Sequence, residues 1–367
     1  MKLGVFRGQK AVNTAIILEM SEIKPQKILI CRTDKIGDVI LTFPVITALR
    51  KTFPGAHIGY LCREYTRKVL EGTPGLDELV VFDPEAHKGP QGIIALSRLI
   101  RAKHYEAAVV LYPRPGIALA LFLAGIKVRI GTAYRWYSFL FNRKVSLHRK
   151  NSLKHELEYN LDLLAPLSAD TSSKEIRLFL SEAEKKEGRE FLEKHGLAGK
   201  SIISIHPGSA VSVLNWPIEK YRGLTESLIK NGTYSVLLVE GKGEERLTGK
   251  ILDGLAVKPA VLPGTADIRQ VAAVLAGVSL HISSNTGTMH LAAAVGTRTL
   301  SFFNPTKAVS PARWGAWGNN GVSVLPGRAE CVDCRPECPD YNCMDRISVD
   351  EVLRKITSLL GSGRKAS

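Results

Sequence analysis

The stretch that decides the fold is Lys27-Ile-Leu-Ile-Cys31, followed by Arg-Thr-Asp-Lys-Ile-Gly-Asp38-Val-Ile-Leu-Thr-Phe-Pro44. The apolar run at residues 27–31 has the length of a buried strand, and residues 33–37 are typical of a loop. Apolar residues then recur at helical spacing over residues 38–52. A strand, a loop and a helix in this order predict the first βα unit of a parallel sheet.

The same pattern recurs on both sides of a charged, helical connector at residues 150–200. Before the connector, strands are predicted at residues 56–61, 79–82 and 107–111, with a helix at residues 92–103. After it, strands are predicted at residues 201–206, 235–240 and 278–283, and helices at residues 217–231, 267–276 and 288–295. The pattern predicts an α/β protein with two Rossmann-like lobes of parallel strands and a ligand cleft between them. No Gly-x-Gly-x-x-Gly follows a strand and no P-loop motif is present, which disfavours a dinucleotide-dependent dehydrogenase and a P-loop enzyme.

The length of 367 residues, with 45% hydrophobic and 23% charged residues, indicates two globular domains. The longest apolar run, residues 116–126, is too short for a membrane-spanning helix, which needs about 20 residues. The first 26 residues carry Arg7 and Lys10 before a short apolar patch, and no small-residue cleavage site follows. We therefore expect a cytoplasmic location.

The charge balance of 50 basic and 35 acidic residues, a net +15, predicts an anionic partner. No carboxylate occurs between Glu106 and Glu156, whereas basic residues are frequent there and alternate with aromatic residues such as Trp136 and Phe139. This stretch is either a solvated basic face or a surface for an anionic lipid or acceptor. The acceptor-binding candidates within it are Arg114, Arg135, Arg143 and Lys144. No nucleic-acid recognition motif is present, so nucleic acid is not an expected partner.

Polar residues follow several of the predicted strands. Asp38 stands where a loop meets a helix, so it is either a helix cap or a carboxylate that accepts a proton from a sugar hydroxyl. The loops at residues 206–210 and 283–290 offer hydroxyls and backbone N–H groups, which suit a phosphate. His290 lies in an apolar helix, where a packed histidine is a better interpretation than a proton donor.

Five motifs together resemble glycosyltransferase family 9, the ADP-heptose:lipopolysaccharide heptosyltransferases. They are GDVILTFPVITALRKTFPGAHI, HPGS with NWP, SSNTGTMHLAAAVGT, FFNPT with RWGAWG, and CMDRISVDEVL, and the resemblance runs from about residue 27 to residue 360. It implies a GT-B fold in which the first lobe binds the acceptor and the second binds the nucleotide-sugar. It also implies inverting transfer without an obligatory cofactor or metal, and the absence of an Asp-x-Asp motif is consistent with this.

The resemblance also implies a role for individual residues. Asp38 matches the general base of the family, and Ser209 matches the phosphate-binding hydroxyl after His-Pro-Gly. Glu244 matches the acidic residue that contacts the nucleoside. The donor-binding turn corresponds to Asn285, Thr286, Gly287, Thr288 and His290.

The domain division that follows is an N-terminal extension at residues 1–26, an acceptor lobe at 27–180 and a nucleotide-sugar lobe at 181–345. A C-terminal helix within residues 346–367 is expected to pack back on the first lobe. The expected function is transfer of heptose from ADP-heptose to the lipopolysaccharide inner core. The expected location is the cytoplasmic face of the inner membrane, as a peripheral protein.

Two departures from the family pattern affect the donor site. The family usually has a basic residue just before Trp-Pro, where this chain has Leu214 and Asn215, and an aspartate where this chain has Asn285. The alternative to heptose transfer is therefore a catalytically silent or donor-switched member that binds an anionic glycolipid.

Four cysteines cluster near the C-terminus, at Cys331, Cys334, Cys338 and Cys343. Their density is compatible with a structural zinc site, although the spacing is not a standard paired one. Reduced structural thiols and a disulfide are the other interpretations, and a reducing cytoplasm disfavours the disulfide.

Overall fold

The computed structural model describes residues 24–209, 214–318, 321–327, 331, 338 and 340–361. Its first half contains strands β1 (Lys27–Cys31), β2 (His57–Cys62), β3 (Glu78–Val81), β4 (Ala107–Val110), β5 (Val128–Thr132) and β6 (Arg143–Val145). They form one parallel sheet in the order β3-β2-β1-β4-β5-β6. Strand β1, at the start of the stretch quoted first, is one of the two central strands of this sheet.

The second half repeats this arrangement. Its strands are β7 (Ser201–His206), β8 (Tyr234–Val239), β9 (Ala260–Leu262), β10 (Leu280–Ser284), β11 (Arg298–Phe302) and β12 (Val322–Val324). They pair in parallel in the order β12-β11-β10-β7-β8-β9. The predicted α/β architecture with two parallel sheets is confirmed.

Helices connect the strands of each sheet. Those of the first half are α1 (Ile36–Ile40), α2 (Phe43–Thr52), α3 (Glu64–Leu70), α4 (Gly89–Arg101) and α5 (Pro115–Leu123). Two follow the first sheet, α6 (Glu156–Asp162) and α7 (Glu182–Lys194). The second half contributes α8 (Ile218–Asn231), α9 (Glu245–Leu252), α10 (Ile268–Ala276), α11 (Gly287–Ala294), α12 (Pro311–Trp314) and α13 (Val349–Gly361).

The single helix predicted at residues 38–52 is two helices, α1 and α2. Pro44 lies in the first turn of α2 and has no N–H to donate to the carbonyl one turn earlier, so a continuous helix cannot pass through it. Thr42 occupies the break, where its hydroxyl donates to the carbonyl of Val39 at 2.6 Å and contacts the hydroxyl of Tyr60 at 2.8 Å. The break keeps α1 short and fixes its first turn above the end of β1.

The two halves share a hydrophobic core. Val39, Ile40 and Val45 from the first half belong to the same buried cluster as Leu291 and Ala292 from the second. All five side chains are fully shielded from solvent. The two halves therefore pack directly on each other through α1, α2 and α11.

The C-terminal helix α13 does not return to the first half, so that expectation is wrong for the part of the helix that the structure describes. Its buried residues Val352 and Ile356 join a second cluster with Trp216 and Tyr221, and it packs on α8. Helical periodicity shows which face of a helix is apolar, but it does not show which surface covers that face.

Candidate active site

Helices α1 and α11 begin beside each other, at the ends of β1 and β10. A Cβ atom on Gly287 would lie 3.5 Å from Cβ of Ile36, and one on Gly37 would lie 2.6 Å from Cδ2 of His290. A side chain at position 37 would push the helices apart, so glycine is needed there. Because ligands bind at the carboxyl ends of parallel strands, this junction is the candidate site.

Asp38 lies in the first turn of α1, and Lys35 rather than Asp38 is the residue at the N-cap position. The helix-capping interpretation of Asp38 is therefore wrong. One carboxylate oxygen, Oδ1, accepts a hydrogen bond from Nη2 of Arg32 at 2.6 Å, and the side chain is 16% exposed. Burial raises the pKa of Asp38 to about 6, helped by the negative charges of Asp34 and Glu156 and opposed by Arg32. Asp38 is thus mostly ionised at neutral pH and has a pKa suited to accepting a proton.

Arg32 organises the charges around Asp38. Its Nε donates to Asp34 at 2.8 Å, and its Nη1 donates to Glu156 at 3.1 Å and to Asn160 at 3.0 Å. The guanidinium is fully buried, and burial disfavours its charge, but Asp34, Asp38 and Glu156 more than compensate and raise its pKa well above the usual value. Arg32 is therefore charged and held in one orientation.

Glu156 forms ion pairs with arginines from both halves of the molecule. Besides Arg32, it contacts Arg149 at 3.4 Å and Arg313, whose Nη2 lies 3.0 Å from Oε2. Burial alone would raise the pKa of this carboxyl, but Arg149, Arg32 and Arg313 hold it below its usual range. None of these residues except Asp38 was predicted from the sequence as part of the site, because Glu156 and Arg313 are far from residue 32 along the chain.

His290 is buried beneath the site, against Gly37. Burial and the neighbouring His155 lower its pKa to about 3, so the ring is neutral at physiological pH. This environment favours the packing interpretation of His290 over proton transfer.

Two loops of the second half meet at Glu244. Its carboxylate accepts a hydrogen bond from the N–H of Gly241 at 2.9 Å, and Oε2 lies 3.7 Å from Nδ1 of His206. A Cβ atom on Gly208 would lie 2.1 Å from the Glu244 oxygens. The structure thus brings Glu244 together with the loop that contains Ser209, which is partly exposed.

The turn before α11 carries neutral polar groups. The hydroxyls of Thr286 and Thr288 lie 2.9 Å apart, and Nδ2 of Asn285 donates to the carbonyl of Val309 at 3.4 Å. The first N–H groups of a helix have no partner within the helix and suit an anion, and threonine hydroxyls can add to them. Of the predicted donor residues, Gly287 and His290 therefore lie against α1, whereas the side chain of Asn285 is hydrogen-bonded to the segment that contains Val309.

The two residues that depart from the family pattern before Trp216 have structural partners. Oδ1 of Asn215 accepts from the N–H of Trp216 at 2.9 Å and from the hydroxyls of Tyr221 and Ser284. Its Nδ2 donates to the carbonyl of Pro207. Leu214 packs partly on the hydrophobic cluster of the second half. Asn215 therefore ties the loop after β7 to β10.

The acceptor-binding candidates fall into two groups. Arg114 follows β4, 5.1 Å from the ring of Tyr112, and its buried Nε has no hydrogen-bond partner in the described chain. Arg135 is exposed in the loop after β5. Arg143 and Lys144 lie on edge strand β6, three strands from β1, which corresponds to about 14 Å at ~4.8 Å per strand. The structure therefore places Arg114 at the same sheet edge as Asp38 and separates Arg143 and Lys144 from it.

Sequence reasoning missed Arg63, which follows β2 at the same sheet edge as Arg114. Its Nε is also buried without a hydrogen-bond partner among the described residues. The neighbouring Tyr65 donates its hydroxyl to the carbonyl of Asp34 at 2.7 Å. A basic residue directly after a predicted strand was the available signal.

The cysteine cluster is only partly described. Cys343 is buried at the start of a 3₁₀ turn (Cys343–Arg346), Cys331 and Cys338 are partly exposed, and Cys334 lies outside the described residues. Within the described ranges, no group of three or more His, Cys, Asp or Glu side chains is placed to hold a metal ion. Because Cys334 is not among them, the zinc hypothesis stays a prediction. No helix in the described part of the chain is long and apolar enough to span a membrane.

Comparisons with known proteins support the resemblance over most of the chain. A sequence profile of glycosyltransferase family 9 (heptosyltransferase) matches residues 93–343. Lipopolysaccharide heptosyltransferase 3 of Escherichia coli is 27% identical over 298 residues, which cover 79% of this chain and 86% of that protein. The protein of the same name from strain K12 is 24% identical over 315 residues, covering 82% and 88%.

Solved structures share the architecture. A family 9 glycosyl transferase from Veillonella parvula superposes with a TM-score of 0.82 at 23% identity, covering 92% of this chain and 98% of that one. Escherichia coli heptosyltransferase WaaC with ADP gives a TM-score of 0.69 at 22% identity, covering 91% and 99%. The two parallel sheets are therefore the GT-B fold, as predicted.

Proposed function

This chain belongs to glycosyltransferase family 9, and we propose that it transfers a heptose from ADP-heptose to the inner core of lipopolysaccharide. The observation that carries the proposal is the position of the Asp38 carboxylate, which lies in the first turn of α1 at the junction with α11 and is hydrogen-bonded to Arg32. The heptosyltransferase WaaC, which shares this fold, has been solved with ADP.

Asp38 is the proposed general base. It removes the proton from an acceptor hydroxyl, whose oxygen then attacks the anomeric carbon from the face opposite the nucleotide. The bond between that carbon and the diphosphate oxygen breaks, and ADP departs with the electron pair. One displacement of this kind inverts the anomeric configuration.

The second half stabilises the departing diphosphate in this proposal. The N-terminus of α11 and the hydroxyls of Thr286, Thr288 and Ser209 supply neutral donors, which need no metal ion. Glu244, adjoining the Ser209 loop, is the proposed contact for the nucleoside.

The first half binds the acceptor and a lipid surface in this proposal. Arg114 and Arg135 face the anionic inner core near the site, while Arg143 and Lys144 contact anionic headgroups at the sheet edge. Exposed aromatic side chains beside them support an interfacial role: Trp136 is 81% exposed and Phe139 is 69% exposed. This surface would keep the enzyme at the cytoplasmic face of the inner membrane.

A vesicle-binding experiment tests the lipid surface. Reversing Arg143 and Lys144 to glutamate should weaken sedimentation with anionic vesicles and raise the acceptor KM. The same double reversal at Lys185 and Lys186 of α7, exposed lysines of the second half, is the matched control. Equal vesicle binding by the two double variants would contradict the proposed surface.

A second candidate is a catalytically silent or donor-switched member, favoured by the neutral residues Leu214, Asn215 and Asn285. Asn215 is fully engaged with Trp216, Tyr221, Ser284 and Pro207, so it is not a substitute phosphate ligand. This candidate predicts glycolipid binding without turnover of ADP-heptose.

The deciding experiment measures thermal stabilisation and turnover with a panel of nucleotide-sugars headed by ADP-heptose, on wild type and Asp38→Asn. We expect ADP-heptose to raise the melting temperature of both proteins, and turnover to fall at least 100-fold in the variant, because general-base catalysis contributes about 10²–10⁴-fold. Binding and turnover of another nucleotide-sugar would indicate a donor switch. Stabilisation by none of them would favour the silent member.

A further inference from the structure

A chain of ion pairs crosses from the second half of the molecule to Asp38. Arg313 of α12 contacts Oε2 of Glu156 through Nη2 at 3.0 Å and Nε at 3.2 Å. The other oxygen of Glu156 lies 3.1 Å from Nη1 of Arg32. Nη2 of Arg32 then donates to Oδ1 of Asp38 at 2.6 Å. These ion pairs therefore connect Arg313 to Asp38 without a gap.

The position of Glu156 affects that of Asp38 through Arg32, because the Arg32 guanidinium is planar and buried. Its Nε is fixed by Asp34 and its Nη1 by Glu156 and Asn160, so Nη2 cannot move independently. A shift of the Glu156 carboxylate would therefore rotate the guanidinium away from Asp38.

Arg313 reaches Glu156 only because residues 313–317 lie against the first half. Nη1 of Arg313 donates to the carbonyl of Arg149 at 3.2 Å. Nε2 of His155 lies 2.9 Å from the carbonyl of Gly315, and the rings of His155 and Trp317 are 4.8 Å apart. The contact to Glu156 thus reports whether this segment of the second half is docked.

Stability alone is a weak reason for such a network. Burying several charges costs desolvation energy that apolar residues of similar size would avoid, so a buried ion network is poor evidence of a stabilising role. Glu156 is buried, one contact away from the arginine that holds the proposed base. A role in placing that base gives a physical reason for keeping the charges.

We propose that Glu156 and Arg313 are positioning residues: they orient Arg32 so that Asp38 presents its second oxygen, Oδ2, to the acceptor hydroxyl. Asp38 is then correctly placed only while residues 313–317 are docked on the first half. The inference rests on the proposed function of Asp38 as the base.

Other groups also lie close to Asp38, but they do not connect it to residues 313–317 through ion pairs. Asp34 lies in the loop after β1, and Lys35 occupies the N-cap position of α1. From α11, His290 packs on Gly37 as a neutral ring, with His155 of the first half near it. By contrast, the ion pair between Glu156 and Arg313 connects the second half to Arg32, and Arg32 contacts Asp38.

The test is a titration of Asp38 in the full chain by carbon-13 NMR of labelled aspartate, with Asp38→Asn identifying the resonance. In Arg313→Gln, Glu156 loses one partner and competes more strongly for Arg32, so Arg32 lowers the pKa of Asp38 less. We expect the midpoint to rise by about half a pH unit. The acid limb of the kcat/KM profile should move upward by the same amount, and Arg313→Lys should return both toward wild type.

Arg269→Gln is the matched control. Arg269 also joins the halves, donating to the carbonyls of Lys68 and Glu71 at 3.1 and 3.0 Å, but it pairs with Glu184 and does not contact Arg32 or Glu156. Its substitution should leave the Asp38 midpoint unchanged. An unchanged midpoint in Arg313→Gln, or an equal shift in Arg269→Gln, would overturn the inference.

The same data separate this inference from the proposed function. If wild type transfers no sugar from any nucleotide while Arg313→Gln still shifts the titration of Asp38, the proposed function fails and the link between the halves stands. If transfer is normal and the titration does not move, the link fails and the proposed function stands.

Discussion

At the edge of the first sheet, Arg32, Asp38 and Glu156 form a buried set of full charges, whereas at the edge of the second sheet Thr286 and Thr288 offer hydroxyls. Charges change strongly with pH and with their neighbours, but hydroxyls and helix N-termini do not titrate in the physiological range. The first edge is therefore suited to moving a proton, and the second to holding an anion that keeps its charge.

The largest effect on stability is expected from removing the charge of Glu156 at the edge of the first sheet. Replacing it with glutamine leaves Arg32, Arg149 and Arg313 with an uncharged partner, and breaking a buried ion pair costs about 3–5 kcal/mol. Urea unfolding at pH 7 should show a loss of that order in the free energy of unfolding. Glu226→Gln, which breaks an exposed helix pair with Lys230, should change it little. Equal midpoints for the two variants would show that the network is not electrostatically required.

The second expectation concerns pH. Because the folded pKa of Asp38 is raised to about 6, its basic form is lost as the pH falls through that value. The value of kcat/KM should therefore fall about tenfold per pH unit below pH 6. The hydroxyls of Thr286, Thr288 and Ser209 do not titrate, so the affinity that they give for the diphosphate should stay flat over the same range. An affinity that falls in parallel with the rate would place the titrating group in the donor site.

The third expectation concerns the proposed donor site at the edge of the second sheet, which a side chain at position 208 should disrupt. An alanine there would place its Cβ 2.1 Å from Glu244, so Glu244 must move and give up its hydrogen bond to Gly241. We expect the donor Kd to rise about tenfold, which corresponds to ~1.4 kcal/mol, with kcat less affected. Gly249→Ala is the control, because a Cβ at that position in α9 meets open space and alanine favours a helix. Unchanged nucleotide affinity in Gly208→Ala would remove Glu244 and the Ser209 loop from the donor site.

The same contrast explains what the sequence could predict. Asp38 and the turn at residues 285–288 follow predicted strands, and parallel strands place such loops at one edge of a sheet. The loops could therefore be found locally. The break between α1 and α2 also had a local signal, Pro44, which the apolar periodicity concealed.

The charged network had no local signal. Arg32 and Glu156 are separated by 124 positions, and Glu156 and Arg313 by 157. Each one alone resembles a solvated surface charge, and only the packing of the two halves brings them together and buries them. The surface covered by α13 could not be predicted for a similar reason, since an apolar helix face can pack on either sheet.

The smallest effect is expected on donor affinity, when a positive charge is added near the proposed donor site of the second half. Leu214→Lys places an ammonium one residue before Asn215, which is hydrogen-bonded to Pro207 in the loop after β7, and the lysine stem can replace part of the leucine packing. If the neutral donors already suffice, the donor Kd should fall by no more than about fivefold, or ~1 kcal/mol, and the gain should disappear at high salt. Leu214→Met is the uncharged control, and Asn215→Lys should instead weaken binding because it breaks the link from Pro207 to Ser284. A gain of several hundredfold in turnover for Leu214→Lys would mean that the natural donor site is incomplete, and the silent-member candidate would then replace heptose transfer.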